Sequence, residues 1–268
     1  MPVESLSSQE IADLLGRAVI PEHSVAFMQA MSGGRAFCRD DYLFLAADDW
    51  LMGIGYPLSE TVSEDKGMPV RGGEAGRAPD DFEAALAKAL ALTGAAACWA
   101  IAPELPSRLA DFEENKDAFY VLPCTAAIPA SLRGPLGKAA KKLRVSEDRT
   151  FTASHRRLWA EFLGRVDMRS NVRELYARTE AVMAASRASE EKAGGARPFL
   201  DLRLLSAWDG DCLAASLLLD YSHDAFCAYI IGWHPRTQLT PHSTDLRFSS
   251  LLATCEAHGN HNTYLCPC

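Results

Sequence analysis

Phe199-Leu200-Asp201-Leu202-Arg203-Leu204-Leu205-Ser206-Ala207-Trp208 opens the stretch from which the fold of this 268-residue chain is read. The run is extended and apolar. Asp209-Gly210-Asp211 then supplies a turn, Asp-Gly being among the strongest hairpin signals. Leu213 to Tyr221 returns as a second apolar run, and Ser222-His223-Asp224 turns the chain again. Ala225 to Trp233 is a third run, rich in aromatic and β-branched residues, so three strands and two tight turns make a meander. Beyond Pro235 a polar loop leads to Ser243-Thr244-Asp245, all N-cap residue types. Leu246, Ser249, Ser250, Leu251 and Cys255 follow at helical spacing, Gly259 stands where a C-cap belongs, and Asn262-Thr263-Tyr264-Leu265 reads as a short strand. The predicted order is strand, strand, strand, loop, helix, strand.

In that order, Ala207-Trp208-Asp209-Gly210-Asp211-Cys212-Leu213-Ala214-Ala215, then Ala228-Tyr229-Ile230-Ile231-Gly232-Trp233, then Ser243 through Gly259 carry a family likeness. The segment resembles the core of the GNAT acyltransferase superfamily. More narrowly, it is similar to the branch holding the Fem-type aminoacyl transferases and the C-terminal region of lysylphosphatidylglycerol synthases. The likeness is one of pattern, clearest over the last quarter of the chain. It implies an α+β fold (a mixed α/β sheet) of two tandem GNAT-like units, 1–145 and 146–268, each a mostly antiparallel sheet flanked by helices.

Composition sets the class. Hydrophobic residues at 48% and charged residues at 23% describe an ordinary globular protein with enough chain for two modest domains. No apolar run approaches a membrane span, and Met1-Pro2-Val3-Glu4-Ser5 lacks the regions of a signal peptide. The net charge of -8 disfavours a general nucleic-acid binder, though not a local basic groove. Eight scattered cysteines read as reduced thiols, and a cytoplasmic location is the simplest expectation.

The first half shows the same elements more faintly. Ser8-Gln9-Glu10 is expected to cap a short helix through Arg17. Strands are predicted at 36–38, 42–45 and 50–56, with Asp40-Asp41 and Asp48-Asp49 as turns. Residues 59–79 have no periodic apolar face and read as a mobile loop, with a substrate-covering lid as the alternative. A helix over 82–92, a buried strand over 96–102, a helical turn within 105–111 and a strand at 118–122 follow. Residues 131–145 are locally basic, and a helix from Pro135 places Lys138, Lys141 and Lys142 on one face. Such a face suits a phosphate of a phosphopantetheine donor, a phospholipid headgroup or a tRNA end, or else it is a solvated surface. Two helices, over 155–163 and 171–186, then lead to the meander.

In the family a helix N-terminus presents backbone amides to the donor pyrophosphate. The corresponding place here is the loop after Trp233. His234 to His242 contains no glycine, which speaks against acetyl-CoA and leaves an acyl-CoA or aminoacyl donor open. The candidate donor-binding residues are Gly232, Trp233, Arg236, Ser243 and Thr244, with Lys138 and Lys141. His234, Asp245 and Tyr229 are the candidate catalytic groups, His234 being the type of base that accepts a proton near neutral pH. Each also has a plainer role, as loop surface, N-cap and core packing respectively. His258, His261, Cys266 and Cys268 are metal-like residue types, yet their spacing matches no zinc motif and no metal is assigned. The resemblance implies a further helix and hairpin after Leu265, so an open sheet edge and a homodimer are expected. Two functions stand: transfer of an acyl or aminoacyl group to an amine or hydroxyl, and a catalytically silent protein binding a small molecule in the same cleft.

Overall fold

The computed structural model describes residues 6–58, 79–113, 120–165, 168–194, 197–235 and 250–265, with 252, 256, 259 and 261 excepted. The chain divides into two compact units, Met1–Asp117 and Ala118–Cys268. The boundary thus falls earlier than the expected 145/146. The reason is pairing: Tyr120–Pro123 and Leu143–Asp148 are strands of the second sheet.

In the first unit α1 (Ser8–Gly16) is capped one residue earlier than expected, by Ser7. Its hydroxyl accepts from the Glu10 amide at 3.3 Å, and the Glu10 carboxylate accepts from the Ser7 amide at 2.7 Å. α2 (Val25–Ser32) was not foreseen, its apolar residues being too evenly spread to show a periodic face. β1 (Arg35–Arg39), β2 (Tyr42–Ala47) and β3 (Trp50–Ile54) form an antiparallel meander. Asp40 and Asp41 turn it with φ of 50° and 65°, the left-handed pair that matches strand twist. α3 (Pro79–Thr93) then returns the chain to β4 (Ala97–Ile101), parallel to β3. Phe82, Ala85, Leu86 and Ala89 of α3 pack on Phe37, Tyr42, Phe44 and Leu51. Gly55 lies so close to this helix that a Cβ there would stand 2.8 Å from the Phe82 ring and 2.5 Å from Ala102 Cβ. Most of the expected loop 59–79 lies outside the described residues.

The second unit repeats that order. β7 (Leu202–Asp209), β8 (Cys212–Asp220) and β9 (Phe226–Trp233) are an antiparallel meander, and β10 (Asn262–Leu265) is parallel to β9. Residues 250–257 are helical where described. α5 (Ala153–Leu163), α6 (Ser170–Ala177) and α7 (Thr179–Ala193) precede the meander. The single helix expected over 171–186 is two, broken at Arg178. Two mixed sheets flanked by helices, each with three antiparallel strands and a parallel fourth, are consistent with tandem GNAT-like units.

Two strands go beyond that repeat. β5 (Tyr120–Pro123) pairs antiparallel with β10, and β6 (Leu143–Asp148) with β7, giving the order β5-β10-β9-β8-β7-β6. The edge of β10 that motivated a homodimer is therefore covered by the same chain. α4 (Ala130–Lys142) runs between these strands with Pro135 inside it, so the helix begins before the expected Pro135. One face of the sheet packs Leu205, Leu217, Leu219 and Cys227 against Leu251 and Cys255. The other presents Ser206, Ser216 and Trp233 to α5, where successive residues alternate sides.

Candidate functional site

The site is built at the end of β9. Its pairing with β10 runs from Asn262↔Phe226 to Leu265↔Tyr229 and, among the described residues, goes no further, while β9 continues to Trp233. On its other side β9 stays paired with β8 as far as Trp233↔Ser216. The register shifts between Leu218↔Ile231 and Leu219↔Tyr229, so Ile230 is an extra, bulged residue. In a regular strand Tyr229 and Gly232 would face opposite ways. The bulge puts them on one face.

That geometry explains why residue 232 is glycine. A Cβ there would lie 2.8 Å from the Tyr229 hydroxyl oxygen and 2.8 Å from Leu217 Cδ2. The phenol thus lies along β9 with its hydroxyl over Gly232. Gly232→Ala is expected to push this ring aside and cost about 1–3 kcal/mol, read as a lower midpoint in thermal unfolding. An unchanged midpoint would mean that the ring does not occupy this place.

Trp233 points to the opposite face. It is fully buried, 4.6 Å between ring centroids from Trp159 and stacked on Phe151 at 6.2 Å. Its ring therefore lies on the α5 side of the sheet. His234 follows half-buried, its carbonyl oxygen accepting from Arg165 Nη2 at 3.2 Å. Its Nδ1 lies 3.0 Å from the Pro235 carbonyl, which can only accept, so Nδ1 carries the hydrogen and Nε2 is the basic nitrogen.

Tyr229, Gly232, Trp233 and His234 are therefore contiguous at one strand end. Lys138 and Lys141 stand elsewhere, exposed on α4, which packs on β6 and over Leu143, Ala207 and Ala214. β6 is three strands from β9, about 14 Å at ordinary strand spacing. Arg236, Ser243, Thr244 and Asp245 lie outside the described residues, as do His261, Cys266 and Cys268. His258 is described; its Nε2 accepts from Arg203 Nη1 at 2.7 Å. No group of three or more His, Cys, Asp or Glu among the described residues is arranged to hold a metal ion.

One constellation looks catalytic and is not. His155 Nε2 is 2.8 Å from Ser206 Oγ, with Asp148 Oδ2 at 3.9 Å. The Thr152 amide donates to His155 Nδ1 at 3.2 Å as part of the α5 capping box, so Nε2 carries the proton and donates to Ser206. That tautomer cannot take the serine proton. Burial lowers the His155 pKa, against the pull of Asp148, and holds the ring neutral.

Arg165, just after α5, and Trp159 within it carry no motif in the sequence. Nothing in the spacing of either distinguishes it; their meeting with Trp233 depends on how α5 lies across β8 and β9.

Comparison with solved structures places this architecture. The chain is similar to L-PGS from Bacillus licheniformis, with a TM-score of 0.52 at 12% identity over 98% of this chain and 79% of that one. The two share a fold. A conserved protein of unknown function from Bacteroides thetaiotaomicron is matched at a TM-score of 0.56 and 9% identity, over 99% and 89% of the two chains. A tandem GNAT protein from the clavulanic acid biosynthesis pathway is matched at 0.49 and 12%, over 98% and 88%. At these identities the likeness is one of fold. No protein-family model and no curated protein sequence matches the chain. No helix among the described residues is long and apolar enough to cross a membrane.

Proposed function

We propose that this chain is an acyl- or aminoacyl-transferase that moves its group to an amine or hydroxyl, with the donor held at the end of β9 and the loop that follows it. The observation that carries the reading is the end of β9. A bulge stands at Ile230, and it sets the Tyr229 hydroxyl over Gly232, one residue before Trp233 and two before His234. The bulge re-aims the side chains beside it, which brings Tyr229 and Gly232 to one face at the strand end. The donor supplies an activated acyl carbon. The chain supplies the proton transfers: His234 Nε2 accepts the proton of the attacking amine or hydroxyl, and the Tyr229 hydroxyl donates to the leaving group. Both are positioned groups of the kind that contributes roughly 10²–10⁴-fold each.

The test has two parts. CoA thioesters of differing chain length are screened by thermal shift on the full chain, where a ligand at 100 times its Kd stabilises by about 2.7 kcal/mol. Transfer from the stabilising donor to amine acceptors is then followed for the native chain, Tyr229→Phe and His234→Ala. The expected outcome is one stabilising donor and a fall in kcat of roughly 10²-fold or more in either variant, with donor binding retained. Stabilisation by a donor with no transfer, unaffected by either variant, would instead favour a silent binding protein, the reading to which the glycine-free segment His234 to His242 also points. An absence of both would end the reading of a CoA thioester as the donor.

A further inference from the structure

We propose that Arg165, Trp159 and Trp233 form a binding site for an oxyanion, a carboxylate or a phosphate, on the α5 side of β9. Three nitrogens there are buried, carry a hydrogen and meet no acceptor among the described residues: Trp159 Nε1, Trp233 Nε1 and Arg165 Nε. The two indoles are 5% and 0% exposed, so water does not serve them. Leaving a buried donor unpaired is costly, and native interiors rarely do it once, let alone three times in adjoining side chains.

The three adjoin. Trp233 and Trp159 are 4.6 Å apart, Trp159 and Phe162 stack at 5.0 Å, and the Arg165 guanidinium lies 5.0 Å above Phe162 while Nη2 holds the His234 carbonyl. Arg173 Nη2 donates to the carbonyls of Arg165 at 2.9 Å and Met168 at 3.3 Å, which holds the Arg165 main chain. Arg165 makes no ion pair among the described residues, so its charge is not neutralised within them. Donors without acceptors, one of them cationic, in an aromatic wall select a group that only accepts and is negative. A neutral amine or a cation would meet like-signed hydrogens and is disfavoured. As an acceptor-substrate subsite this assignment rests on the transfer reading; as an anion site it does not.

The probes are sodium phosphate and sodium acetate, titrated separately into the full chain at constant ionic strength and followed by tryptophan fluorescence. Saturable quenching by one of the two is expected, which also says which oxyanion the site takes. Arg165→Gln is expected to weaken that Kd at least tenfold. Trp233→Phe and Trp159→Phe, which keep the ring and remove one donor each, are expected to weaken it several-fold. Lys138→Gln/Lys141→Gln on α4 is expected to leave it unchanged. Saturable binding that survives Arg165→Gln but is lost in the α4 variant would overturn the site, as would no saturable binding of either ion. Because neither probe carries an acyl group, failure of the thioester screen leaves this result standing, and failure here leaves donor binding untouched.

Discussion

Arg203→Met is expected to destabilise the second unit by about 3–5 kcal/mol, the usual consequence of removing one partner from a buried ion pair. Arg203 is 8% exposed and Asp201 5%. The guanidinium bonds both Asp201 carboxylate oxygens, at 2.9 and 2.7 Å, and Glu147 Oε1 at 2.5 Å, and lies 5.1 Å above the Tyr221 ring. Burial works against its charge, but the two carboxylates outweigh that and raise its pKa. Without it Asp201 keeps only Arg149 Nη1, at 3.5 Å, as a cationic partner among the described residues. Urea unfolding checks this, and Arg203→Met/Asp201→Asn should recover a large part of the loss, since the uncompensated charge is then gone. A loss under about 1 kcal/mol would class the pair with solvent-screened surface bridges.

Glu22→Gln should act in the opposite sense, and only above neutrality. Burial raises the Glu22 carboxyl to about 7 from 4.5, and its Oε2 has no hydrogen-bond partner among the described residues. Below pH 4.5 the group is protonated both folded and unfolded and contributes nothing. As pH rises through 4.5 the unfolded chain releases its proton first, so stability falls until the folded carboxyl also ionises near 7. Above that the penalty is full, about 3 kcal/mol at 1.36 kcal/mol per pH unit. The glutamine variant should therefore match the native chain at pH 4 and exceed it at pH 8, as read from thermal midpoints at both values. A gain of equal size at both pH values would remove the ionisation argument.

The parts of the fold legible in sequence are those whose chemistry is local. Asp209-Gly210 and Asp40-Asp41 favour turns because Gly210, Asp40 and Asp41 take left-handed backbones, and the runs beside them are short apolar stretches of strand length. β5 and β6 were not legible as members of the second sheet, because their partners are β10 and β7, far along the chain, and a strand's neighbour is not written in its own residues. The cap of α1 was displaced by one residue because Ser7 and Ser8 are chemically alike and only Ser7 stands three before Glu10. At the site, Tyr229, Gly232, Trp233 and His234 could be found because they are consecutive or nearly so. That Tyr229 and Gly232 share a face could not, since it depends on the bulge at Ile230, which pairing with β8 alone defines. Lys138 and Lys141 attracted notice through charge, which says nothing of distance; sheet order sets them three strands away.

The position of β10 between β9 and β5 has a kinetic consequence. Pro123 waits for Asn262, so the hydrogen bonds that join the outermost strand to its sheet span nearly the whole second unit. Closing so long a loop is entropically unfavourable and slow, and it cannot start until residues 262–265 have been synthesised. Until then Tyr120–Pro123 is a strand without its β10 partner, so nascent chains of this protein are exposed to mispairing until residues 262–265 emerge.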